Sequence, residues 1–297
     1  MVGNKTASLV IIGLGLVLAI GLARPSLVAA ADTPAVMQKG LTISPLRSDL
    51  EIEPGTALSG TLLVTNSSDQ PIAASMSSEE FGVTNQQYDY TFTADSDVAK
   101  WVSFSIPSFN LAAGETKQVD YTVGVPILSE PGGRYISLFV GSDDLSAPGA
   151  TSVRRVASLL YITVLGNVSR AGKLLSLSSP WAINNATSWS ATIQNNGTTH
   201  FRSRYRVDLK YMIGDNVLSS TSGEALILPS TVRSISDDLP MPYFPGVYKI
   251  IYTIGLGDTP SVTETRYFVY VSPLATIVIL VALLAYAYWS FYRPKPI

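Results

Sequence analysis

The sequence predicts an all-β protein: two tandem immunoglobulin-like β-sandwiches, with an apolar helix at each end of the chain. Three observations predict it. Beyond Leu41, Ser, Thr, Val and Tyr recur while charged residues stay sparse, at 14% over the whole chain. Turn residues punctuate the text about every ten positions, the spacing of short sandwich strands. Outside the two ends no stretch keeps a helical period of useful length. Without its apolar ends the chain of 297 residues retains about 240, enough for two domains with cores of their own.

The elements follow in order. Lys5 is the lone charge before an apolar run, Ala7 to Ala23, followed by Arg24-Pro25 and the small residues Val28 to Ala31. Residues 1–31 therefore read as a secretory signal cleaved between Ala31 and Asp32, or as an uncleaved anchor. Residues 32–40 read as a linker. The first sandwich is expected over 41–166. LTISPLRSDLEI reads as an opening strand pair, and Glu53-Pro54-Gly55 turns the chain into SGTLLVTN. PIAASMSSEEF, WVSFSI and KQVDYTVGV follow; in the last, Val119, Tyr121, Val123 and Val125 alternate onto one face. Pro131-Gly132-Gly133 turns into RYISLFVG, and a polar loop over Ser142 to Ser152 leads to RRVASLLYITVLG.

The second sandwich is expected over 167–272, from KLLSLSS and WSATIQNN through the turn Asn195-Asn196-Gly197. Next comes the cleanest alternation in the chain. Tyr205, Val207, Leu209 and Tyr211 face one way; Arg204, Arg206, Asp208 and Lys210 face the other. EALILPSTVRSI, VYKIIYTIG and VTETRYFVYV complete the block. Residues 273–292 then read as a transmembrane helix. Leu274 to Tyr292 contains no charge and no proline, and at about 1.5 Å per residue it spans roughly 28 Å. Tyr286, Tyr288, Trp289, Phe291 and Tyr292 crowd its second half like an interfacial belt. Arg293 and Lys295 in the tail, 293–297, mark that side as cytoplasmic. The expected location is the cell membrane, with a single pass and both sandwiches outside the cell.

The composition excludes whole classes of chemistry. A net charge of −2 offers no field for nucleic acid. With no cysteine there is neither a disulfide nor a thiolate metal site. The one histidine, His200, reads as a solvated loop residue beside Thr198-Thr199. No serine stands three residues before a lysine. Asp95-x-Asp97 opens like a calcium loop, but Lys100 and Ile106 occupy the places of its glycine and glutamate. Asp143-Asp144 and Asp237-Asp238 read as solvated loops, and Gly255-x-Gly257 precedes no helix. The expectation is no enzyme, no cofactor and no metal.

Two constellations remain as candidate binding surfaces. Arg202, Arg204, Arg206 and Lys210 form one ridge that suits anionic lipid or wall polymer, or is simply the solvent face of a sheet. Tyr88, Tyr90, Phe92 and Trp101 either line a sugar-binding surface or pack a core. Sequons stand at Asn66, Asn167, Asn185 and Asn196.

The stretch LTISPLRSDLEIEPGTALSGTLLVTNSSDQPIAASMSSEEFGVTNQQYDY resembles the opening of the WxL-interacting cell-surface proteins, with their DUF916-like first domain. WVSFSIPSFNLAAGETKQVDYTVGVPILSEPGGRYISLFVG is similar to the rest of that domain, and LILPSTVRSISDDLP with YFPGVYKIIYTI to the end of their second. The order of signal, two Ig-like domains, span and basic tail also matches, although the second block here is short. The resemblance implies a first domain that binds peptidoglycan and a second that binds a partner surface protein. The first block also resembles the amino-terminal domain of periplasmic pilus chaperones. The resulting expectation is a membrane-anchored binding protein for wall polymer or a surface protein. A membrane-tethered assembly or secretion chaperone and an accessory subunit of a membrane complex are the alternatives.

Overall fold

The computed structural model describes residues 40–142, 154–183 and 188–292. The signal segment with its Ala31–Asp32 cleavage site, the linker before Gly40, the Asp143-Asp144 pair, Asn185 and the basic tail lie outside the described residues.

The first block contributes β1 (Leu41–Ser44), β2 (Arg47–Ile52), β3 (Ala57–Asn66), β4 (Ile72–Val83), β5 (Tyr90–Thr93), β6 (Val102–Phe104), β7 (Ser108–Leu111), β8 (Thr116–Gly124), β9 (Gly132–Ser142) and β10 (Arg154–Val164). One sheet runs β1-β3-β8-β6; the other runs β2-β10-β9-β4-β5, with β7 also against β4. The alternation in β8 holds: Val119, Tyr121, Val123 and the following Val125 are buried. They meet Leu62 and Val64 of β3 and Ile136, Leu138 and Val140 of β9 across the sandwich. Each such buried side chain stabilises the fold by about 1.5–3 kcal/mol.

The expected opening pair is corrected. LTIS and RSDLEI do not pair with each other. β1 lies antiparallel to β3 in one sheet, and β2 lies parallel to β10 in the other. Pro45, which has no N–H to donate, stands where the chain leaves the first sheet. There Ser158 Oγ donates to the Pro45 carbonyl at 2.6 Å and the Leu159 N–H donates to Leu46 at 2.9 Å.

The second block contributes β11 (Gly172–Ser178), β12 (Ala182–Ile183), β13 (Ser188–Asn195), β14 (Phe201–Tyr211), β15 (Val217–Ile227), β16 (Val232–Asp238), β17 (Gly246–Leu256) and β18 (Thr259–Tyr270). Its sheets run β11-β13-β16 and β12-β18-β17-β14-β15. Val207 and Leu209 point from β14 into the core, as their alternation requires. Asp237 and Asp238 are strand residues rather than loop residues: they pair with Trp189 and Ser188, and Asp237 accepts the Tyr205 hydroxyl at 3.0 Å.

Both sandwiches close one strand with a buried asparagine. The Asn66 amide donates to the carbonyls of Gln70, Leu111 and Ala112 at 2.7–3.3 Å, and its Oδ1 accepts from Ser68. The Asn195 amide donates to Thr199 and Ile227 at 2.9 Å, and its Oδ1 accepts the Gly197 N–H. The backbone repeats the likeness. Asn66 bonds Glu115 and Gly114; Asn195 bonds Thr231 and Ser230, in the same donor and acceptor senses. With its side chain enclosed, Asn66 presents no amide for a sugar, whatever its sequon.

After Val271 and Ser272 comes α1 (Pro273–Tyr292), 20 residues and about 30 Å long. Side chains are described for 277–291; all are uncharged and exposed. Among the described residues no helix is long and apolar enough to cross a membrane.

Candidate functional site

Residues of the two sandwiches pack together, and a cleft opens at the joint. β2 supplies Arg47, Asp49 and Glu51, which alternate outward from the first sandwich. β14 supplies Arg202 from the second. The Arg202 guanidinium donates to Asp49 at 2.7 Å and to Glu224 at 3.2 Å, bridging the blocks. Asp49, as the nearest hydrogen-bonded carboxylate, holds Arg202 more firmly protonated than usual. Arg170 reaches Glu51 at 3.1 Å on the same side. A cavity of about 590 Å³ opens between these residues, lined also by Tyr161, Thr163 and Asp258. A second of about 170 Å³ lies next to it, lined by Arg47, Arg202, Arg233, Tyr88, Tyr90 and Tyr161. Three guanidiniums face the second cavity. Arg202 is engaged as above, Arg233 donates to the Leu226 carbonyl at 2.6 Å, and Arg47 makes no ion pair among the described residues.

His200 is not a solvated loop residue. It is buried in the joint, with its ring 5.6 Å from Tyr135 and 5.5 Å from Tyr161. Nε2 lies 3.4 Å from Asp49 and Nδ1 lies 3.3 Å from the Tyr135 hydroxyl. Burial pushes its pKa down, against the opposing pull of Asp49. A neutral ring satisfies both neighbours, with Nε2–H donating to the carboxylate and Nδ1 accepting from the phenol. Burial likewise raises the pKa of the Tyr135 and Tyr161 phenols, so both stay protonated.

The joint is well bonded. The Tyr88 hydroxyl shares a 2.6 Å hydrogen bond with Thr231 and accepts the Leu228 N–H at 2.8 Å. Thr163 and Thr199 share a hydroxyl bond at 3.0 Å, and Gly133 N–H donates to the Thr198 carbonyl at 2.9 Å. Gly132, with φ at +143°, permits that approach: a Cβ there would stand 2.9 Å from the Thr198 oxygen.

A second feature adjoins the cleft. β9 runs beside β10 along its full length, from Arg154↔Ser142 to Val164↔Gly132. β2 covers the other side only from Leu159 onward. The Leu159 N–H points to β2, so alternation aims the N–H and C=O of Ala157 and Arg155 the same way. No described strand meets them. This open half-strand ends where Arg47 begins the covered half.

Arg202, Arg204 and Arg206 of the predicted ridge are paired with carboxylates, whereas Lys210 faces another cation. Arg204 faces Glu224 across β14 and β15, 3.6 Å away; Arg206 reaches Asp208 at 2.8 Å; and Lys210 lies opposite Lys249 of β17. Tyr88 is buried at the joint and Trp101 packs against the first core, so neither joins Tyr90 and Phe92 on a surface. Side chains of Leu274 and Tyr292 lie outside the described set. Sequence reasoning missed Asp49, Arg47, Glu224, Tyr135 and Tyr161. The alternation Arg47-x-Asp49-x-Glu51 was the available signal for an outward charged face.

No family model matches the chain, and no curated protein matches it. The resemblance to WxL-interacting proteins therefore has no family match behind it. Among solved structures the chain is similar to the class 5 fimbriae chaperone CfaA, at 15% identity and a TM-score of 0.42, over 76% of this chain and 99% of that one. A chaperone–tip adhesin complex of CFA/I fimbriae gives 14% and 0.42, over 76% and 98%. The CsuC–CsuE chaperone–tip adhesion subunit pre-assembly complex of Acinetobacter baumannii gives 13% and 0.38, over 78% and 99%. These neighbours are pilus-chaperone-like folds of the immunoglobulin type, and at such identities the likeness is one of fold alone.

Proposed function

We propose that the chain is a membrane-tethered binding protein, not an enzyme, and that it captures an extended segment of an exported protein on the first sandwich. The open half of β10 carries this reading. Arg155 and Ala157 present to one side backbone groups that no described strand meets, and an incoming strand that bonds them extends the sheet by one member. The cleft at the end of that edge suits the same partner, since Arg47 offers a guanidinium that makes no ion pair among the described residues. The tether in this reading is the charge-free run Leu274 to Tyr292 of the sequence, although among the described residues no helix is long and apolar enough to cross a membrane. The wall-polymer reading keeps Tyr90 and Phe92 of its aromatic platform and Lys210 of its ridge, while Tyr88 is buried and Arg202, Arg204 and Arg206 face carboxylates.

The test is site-specific photo-crosslinking in cells that make the full chain. A photoreactive residue at Ala157 should give discrete adducts with exported protein. One at Gln118, exposed on the opposite sheet, should give none. Equal adducts at both positions, or none at Ala157, would remove strand capture.

A further inference from the structure

The end of the second sandwich that launches α1 is apolar in an unusual way. β18 runs toward that end and finishes at Tyr270, opposite Gly246 of β17. Three loops come down beside it. One carries Trp181, whose carbonyl accepts the Val269 N–H at 2.9 Å. One carries Tyr243 and Phe244 just before Gly246, and the Phe244 carbonyl accepts the Tyr248 hydroxyl at 2.6 Å. The third is the hairpin beyond Tyr211, which stands level with Tyr248 and carries Met212 and Ile213. Hydrogen bonds and register place the Tyr243–Phe244 and Met212–Ile213 loops at that end, and Trp181 at the edge strand just short of it, level with Phe268.

The side chains on these loops point away from the protein. Tyr243 is 94% exposed, Ile213 88%, Trp181 79%, Phe244 70% and Met212 55%. Loops are normally polar because they face water. Here the only charge in the three is Asp215, held 3.7 Å from Lys249. The chain leaves this end through Val271 and Ser272 directly into the uncharged helix α1. With two residues between strand and helix, the loops cannot stand far from whatever α1 enters.

We propose that this end of the second sandwich seats in the interfacial zone of the bilayer, with Trp181, Tyr243 and Phe244 among the headgroups. The proposal rests on the reading of α1 as the anchor. Tryptophan and tyrosine favour that zone because one part of the ring is apolar and the other hydrogen-bonds water and headgroup oxygen. The loops carry no lysine or arginine, so their attraction is apolar rather than electrostatic and does not require anionic lipid.

The absence of cysteine makes the test clean, because each introduced thiol is the only one. The full chain carries a fluorophore at Tyr243→Cys, at Ala285→Cys in α1, or at Ala113→Cys on the first sandwich. Each form is reconstituted into phosphatidylcholine vesicles, with and without phosphatidylglycerol. Lipids spin-labelled near the headgroup should quench the Tyr243 label on the order of twofold, equally in both vesicle types, and leave the Ala113 label unquenched. Lipids spin-labelled deep in the acyl chain should quench the Ala285 label. If Ala285 is quenched and Tyr243 is not, the anchor stands and the seating is overturned. If Ala285 is not quenched, the anchor reading fails and the seating fails with it. Tyr243 quenching that needs phosphatidylglycerol overturns the apolar mechanism.

Discussion

Asn66 concentrates more hydrogen bonds than any other side chain in the first sandwich, and it does so with almost no exposure. Asn66→Ala strands three carbonyl acceptors at a sealed turn. It should destabilise the protein by about 2–3 kcal/mol, read as a lower urea midpoint with unchanged slope. Asn195→Ala should act alike on the second sandwich. His200 gives a pH prediction. Its folded pKa lies below the unfolded value of 6.5, so in acid the unfolded chain binds a proton that the folded one refuses. Stability from this residue is complete above about pH 6.5 and falls as the pH drops below it. Urea unfolding followed across that window should show the loss, and His200→Gln should flatten it. Both residues were visible as letters, yet their roles were not. Asn66 looked like a sequon and His200 like a loop residue, because burial at each comes from chain segments far away in sequence.

Among the elements, β10 is the one with two different halves. Ala157→Pro removes a single outward N–H, and proline is tolerated where a strand edge faces away from its sheet. The variant should keep its fold by circular dichroism and lose the crosslinks obtained from the open edge, now recorded with the photoreactive residue at Val156. Retained crosslinks would mean that the backbone of β10 is not the contact. The Pro131-Gly132-Gly133 turn gives a second case. Gly132→Ala combines an unfavourable φ with a clash against Thr198, whereas Gly114→Ala, at φ +75° with open space around it, carries the φ penalty alone. Thermal unfolding should show a loss of about 1–2 kcal/mol at Gly114 and a clearly larger one at Gly132. The strands themselves were legible, since period-two burial in β8 and β14 follows directly from their letters. The exchange of sheets between β1 and β2 was not, because LTISPLRSDLEI carries the same apolar pattern whether its halves pair together or apart. The open half of β10 follows from that exchange and was hidden with it.

For the molecule as a whole, the joint decides what the two sandwiches can do together. Tyr88 and Tyr135 of the first block pack into one cluster with Phe201 and Leu226 of the second, so the cleft is held by a shared core. Tyr88→Phe should weaken the joint by about 1–3 kcal/mol, since the buried Leu228 N–H loses its acceptor. The all-β architecture was readable from composition and turn spacing. The joint was not, because its residues are tyrosines, arginines and carboxylates scattered from Arg47 to Arg233, with no local pattern to connect them. Strand capture requires that the first half of β10, which no described strand covers on one side, be free there. Amide hydrogen exchange measured residue by residue on the unliganded protein tests it most directly. Arg155 and Ala157 should exchange far faster than Tyr161 and Thr163, which share their orientation but face β2. Protection at Arg155 and Ala157 equal to that at Tyr161 and Thr163 would mean that the chain already covers its own edge, and strand capture there would be contradicted.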